Sequence, residues 1–105
     1  MAPEAAPDPF RGRFIHRIPA VRRESGLVLH FGGADFTSED ALREHIRREY
    51  GTEVLILDAN SVTLDVLESE LRKNLPTDMA DAFLAEVRAK GLNPVEERIV
   101  LSKKG

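Results

Sequence analysis

Cysteine and tryptophan are absent from this 105-residue chain, and its aromatic residues are five Phe and one Tyr. Without Cys there is no disulfide, no thiol nucleophile and no Cys-based zinc site. With so few rings, a platform on which bases could stack is hard to assemble. Nor does any apolar run approach the roughly 20 residues that a membrane span needs. The opening MAPEAAPDPF carries neither the basic region nor the apolar region of a signal peptide. A reducing, cytoplasmic setting without membrane contact is therefore the expectation. A net positive charge is missing too: the formal charge is −3, which argues against general nucleic-acid binding.

What is present is an ordinary globular composition, 42% apolar and 31% charged, at a length that suits one domain with one core. Residues 1–9 hold three Pro, three Ala and two acids. Nothing there can pack, so a disordered tail followed by a single domain over 10–105 is expected. Charge is unevenly placed: five arginines against Glu24 give residues 10–24 a local +4.

Hydrophobic pattern and turn residues predict four strands and three helices in the order β-β-α-β-α-α-β, an α/β or α+β fold of two to three layers with a mixed sheet. The first strand is read over Arg13–Ile18, ended by Pro19 and placed at a sheet edge because proline cannot donate to a central ladder. Glu24-Ser25-Gly26 turns the chain into Leu27–Phe31, so these two strands can form a hairpin. Leu27–Phe31 and Val54–Leu57 are nearly unbroken apolar runs, the pattern of parallel neighbours covered on both faces. Between them, a helix capped by Thr37 or Ser38 buries Leu42, Ile46 and Tyr50 and stops at Gly51. Thr37 with Asp40 resembles a capping box, with Phe36 stapled onto Ala41. Residues 62–66 fit a return strand or a helix. Leu64, Val66, Leu67, Leu71 and Leu75, with basic Arg72 and Lys73 at the end, favour a helix over 63–74. Pro76 and Thr77 open the third helix, with Thr77 as cap and Met79, Phe83 and Val87 on its buried stripe. Gly91 ends it, and the last strand is read over Val95–Leu101.

If the two apolar strands are parallel neighbours, their carboxyl ends share one rim. Gly32, Gly33 and Asp35 would then meet Asp58, Asn60 and Ser61 in a crevice suited to a small anionic ligand or to catalysis. The same residues are also what turns and helix caps are made of. Val54–Asp58 is similar to the end of the phosphoacceptor strand of response-regulator receiver domains. The likeness stops there, because the acidic pair after the first strand and the later Lys are missing. His30-Phe31-Gly32-Gly33 resembles an esterase oxyanion loop, but there is no G-x-S-x-G elbow. His16, His30 and His45 fall on three different elements, so neither a metal nor another cofactor is expected. No Ser has the setting of a nucleophile, and no catalytic residue is assigned.

Arg11, Arg13, Arg17, Arg22 and Arg23 can grip phosphates or an acidic protein patch. Alternatively they protect a sheet edge or pair with acids of residues 39–49. The first functional expectation is a small non-enzymatic protein-interaction module (subunit, inhibitor or adaptor) that engages a protein partner or associates with itself. The second is phosphate-backbone binding through this segment, and the third is the sheet-edge crevice.

Overall fold

The structure, a computed structural model, describes residues 13–92 and 96–104. Residues 1–9 and Arg11 lie outside it. The strands are β1 (Ile15–Arg23), β2 (Gly26–Phe31), β3 (Ala34–Phe36), β4 (Val54–Asp58) and β5 (Glu97–Ser102); the helices are α1 (Glu39–Tyr50), α2 (Leu64–Asn74) and α3 (Thr77–Lys90). The sheet has five strands in the order β3-β2-β1-β5-β4, and every adjacent pair is antiparallel. The chain is thus a small α+β domain with one strand more than the pattern predicts and no parallel pair.

The extra strand comes from Gly32-Gly33. Both residues adopt positive φ, 60° and 82°, as a two-residue hairpin turn between strands demands. The turn folds Ala34–Phe36 back along β2, pairing Phe31 with Ala34 and Leu29 with Phe36. Read as a loop before a helix, this stretch gives four strands; its Gly-Gly dipeptide is the signal for five.

β1 is not an edge strand. It runs through Pro19 and lies mid-sheet between β2 and β5. Successive residues of a strand address opposite neighbours. Ala20 N–H donates to the Glu96 carbonyl and Ser102 N–H to the Phe14 carbonyl, so even-numbered residues of β1 bond to β5 and odd-numbered ones face β2. The β5 ladder covers Ile15–Pro19, while the β2 ladder begins only at Ala20↔Leu29 and runs to Arg23↔Gly26. Pro19 therefore sits where its missing N–H would face β2, and there the β1–β2 ladder stops.

Two cores cover the two faces of the sheet. On one, Leu42 and Ile46 of α1 pack with Ile18, Leu29, Phe31, Val54, Ile56 and Val100. On the other, Leu67, Leu71 and Leu75 join Phe83, Leu84 and Val87 over Ile99 and Leu101. The second core contains no residue of β2 or β3 among the described residues. α1 carries the chain from β3 at one edge to β4 at the other. Its 12 residues span about 18 Å at 1.5 Å each, close to the roughly 19 Å of four inter-strand steps.

Local expectations fare unevenly. Ser38 caps α1, accepting the Ala41 N–H, and Gly51 ends it at φ 68°. Phe36 lies against His45, ring centroids 4.9 Å apart. Residues 64–74 are helical with Thr63 as cap, but Leu64 and Val66 are 44% and 48% exposed, so the buried stripe is Leu67, Leu71 and Leu75. The cap position of α3 is Pro76, with Thr77 already inside the helix and no side-chain capping bond.

Candidate functional site

The crevice expected from parallel strands does not form. β1 and β5 lie between β2 and β4, and β2 and β4 run in opposite directions. Gly32, Gly33 and Asp35 therefore sit at one rim of the sheet, and Asp58, Asn60 and Ser61 sit toward the other. Each group has a local task. Asp35 accepts a hydrogen bond from, or ion-pairs with, His30 Nδ1 across the β2–β3 hairpin. Asp58 Oδ1 accepts the Asn60 N–H at 3.0 Å and Oδ2 accepts the Ser61 hydroxyl at 2.9 Å. Its carbonyl accepts the N–H groups of Ser61 and Val62. Arg98, almost buried, bridges Asp58 at 3.3 Å and Glu39 of α1 at 3.1 Å. Burial alone would raise the Asp58 carboxyl; the Asn60 N–H, the Ser61 hydroxyl and Arg98 outweigh it and hold it below the ordinary aspartate value.

The arginines of the basic segment pair internally, but not with residues 39–49. Arg17 binds Glu97 at 2.8 Å and Glu86 of α3 at 3.5 Å. Arg22 binds Glu96 at 2.6 Å, and Arg13 donates to the Lys103 carbonyl at 2.8 Å. Among the described residues Arg23 has no acidic partner. Arg17, Arg22 and Arg23 are on a central strand, so they do not guard an edge. The partners of Arg13, Arg17 and Arg22 come from α3, from β5 and from the residues just before and after β5, which sequence spacing alone could not bring near.

The feature that sequence reasoning misses lies beside Pro19. Beyond it the ends of β1 and β2 separate around a cleft of about 190 Å³, lined by His16, Arg17, Ile18, His30, Phe31 and Gly32. On the α3 side, sharing His16 and Arg17 with it, lies a groove of about 360 Å³ lined by Met79, Ala82, Phe83 and Glu86 opposite Ile15 and Arg17. Those four positions, at i, i+3, i+4 and i+7, form one side of the helix. Along the bay so formed, the N–H and C=O groups of Ile15 and Arg17 point away from β5 and have no ladder partner among the described residues. His16 stands at the rim, its ring 5.4 Å from Phe14 and 6.4 Å from Phe31. Partial burial there lowers its pKa below the ordinary imidazole value, which favours the neutral ring at neutral pH. The signal that could have found the bay is Pro19 itself, read as ending one ladder rather than the whole strand.

No group of three or more His, Asp or Glu is placed to hold a metal ion among the described residues, and no helix there is long and apolar enough to cross a membrane. Comparison with protein-family models, with curated proteins and with solved structures gives no match.

Proposed function

We propose that the protein is a non-enzymatic interaction module that takes an extended segment of a protein partner into the bay beside Pro19, as an added strand on the open side of β1. The observation that carries this reading is the unpartnered backbone edge at Ile15 and Arg17. Unmet peptide groups at a sheet margin are a template for another strand.

Magnitudes decide what the rest of the bay must do. Two N–H and two C=O groups offer four hydrogen bonds at about 1 kcal/mol net each. That falls short of the roughly 8 kcal/mol of a micromolar complex, before the cost of ordering the peptide. Side chains of the segment must supply the remainder by burial against Ile15, Met79 and Phe83, so a peptide with apolar residues at alternate positions is the preferred guest.

Selection from a displayed library of random ten-residue peptides, followed by amide-shift mapping on the intact protein, tests this. Selected peptides are expected to move the signals of 15–18 and of α3 near Phe83, and to bind at least tenfold more weakly to Ala82→Glu, which puts a charge in the groove. Peptides that bind elsewhere, or are indifferent to that substitution, overturn the reading. A second copy of the chain is a candidate donor of the strand, and sedimentation equilibrium would show it as a concentration-dependent dimer lost in the same variant.

A further inference from the structure

A second concave region lies on the far side of the β1 start, where α2 hands over to α3. Its volume is about 240 Å³, and four cationic side chains line it: Arg13, Arg72, Lys73 and Lys104, around Asn74, Leu75 and Pro76. They come from the segment before β1, the end of α2 and the segment after β5, three stretches far apart in sequence.

The backbone around this cleft is held in place. Asn74 is buried, its amide donates to the Glu70 carbonyl at 2.9 Å, and its Oδ1 accepts the Lys104 N–H at 3.0 Å. Arg13 is fastened to the Lys103 carbonyl at 2.8 Å. The chain on either side of the cleft is thus tied down by hydrogen bonds, while its charge is only partly answered. Arg72 is neutralised by Glu68 at 3.0 Å and Asp81 at 2.9 Å, and Lys73 stands 3.8 Å from Glu70. Arg13 and Lys104 have no carboxylate partner among the described residues. What sets these two apart from other cations without a carboxylate partner is that both line the same concavity. Beside them α3 begins at Pro76, which offers no side-chain cap, and its first turn is answered in part by Asp78, whose Oδ1 accepts the Met79 N–H at 2.9 Å.

We infer that this cleft binds a small phosphate-bearing anion, inorganic phosphate or a phosphomonoester, held chiefly by the Arg13 guanidinium and the Lys104 ammonium. The Arg13 fork suits two phosphate oxygens and Lys104 supplies a point charge. This site is independent of the strand-accepting bay, and either can fail without the other.

Amide-shift titration of the intact protein tests the inference, with inorganic phosphate in one arm, phenyl phosphate in a second and chloride at equal ionic strength in a third. Saturable shifts are expected at residues 73–78 and 104 in one or both phosphate arms, and none in the chloride arm. Stronger binding in the phenyl arm assigns the site to monoesters, and stronger binding in the inorganic arm to the free ion. Lys104→Gln and Arg13→Gln should each weaken binding about tenfold, the loss of one charge-assisted contact, while Lys90→Gln leaves it unchanged. The exposed position of Lys104 keeps that variant folded. An unchanged affinity in Lys104→Gln, a chloride response equal to phosphate, or no saturation by about 20 mM phosphate overturns the inference.

Discussion

Pro19 acts at the scale of one atom, the hydrogen it lacks. Replacing it by Val restores a donor opposite His30, so the β1–β2 ladder should lengthen and the bay should narrow. The added hydrogen bond stabilises by about 1 kcal/mol. Losing proline's restriction of the unfolded chain costs about 0.4–1 kcal/mol. The two nearly cancel, so Pro19→Val should melt within about 3 °C of the parent, within reach of a calorimeter, while losing peptide binding. A large stability change would show that Pro19 has another role. Asp58 makes a second residue-scale prediction. Its folded-state pKa is depressed, so it contributes stability that is present above the unfolded value of about 3.9 and lost as pH falls through the lower folded value. Urea titrations in the acid range should show Asp58→Asn flattening this dependence. Arg98→Met leaves Glu39 and Asp58 without their shared cation. The expected cost is about 2 kcal/mol, below the roughly 3–5 of a fully buried pair, because both acids are more than a third exposed.

At the scale of elements, the helices were legible because their signals are local: caps, acidic first turns, basic last turns and apolar stripes within a dozen residues. Ser38, Gly51 and Gly91 each cap or terminate a helix where spacing predicts, and Thr63, expected as the first helical residue, caps the helix one position later. Substituting Ser38 by Ala should lower stability by about 1 kcal/mol in a denaturant titration. Leu71→Ala, at a position with no exposure between α2 and the sheet, should cost about 3 kcal/mol. β3 was less legible because three residues are too few to show alternation, and only the Gly-Gly turn announces it. The length of β1 is obscured by Pro19, which forbids one hydrogen bond on one side of the strand and does not end it. The candidate crevice failed for a different reason. Gly, Asp, Asn and Ser mark turns wherever they occur, and nothing in their identity says which turns share a rim.

Across the whole molecule, the parallel arrangement was misjudged because apolar runs report how many faces of a strand are covered, not its direction. Val54 and Ile56 face α1 while Leu55 and Leu57 face α2 and α3, and an antiparallel strand between helical layers reads the same way. Strand order is set by non-local packing: α1 joins β3 and β4, which are the two edges of the sheet and not neighbours. The layout that results leaves a central strand paired on both sides for only part of its length, and the proposed binding rests on that incomplete pairing. Amide hydrogen exchange along β1 of the unliganded protein tests it most directly. The N–H groups of His16 and Ile18, which face β5, should exchange slowly, and that of Arg17, which faces the bay, should exchange rapidly between them. An Arg17 amide as slow as its two neighbours would mean that its side of the strand is already occupied, and would contradict the account.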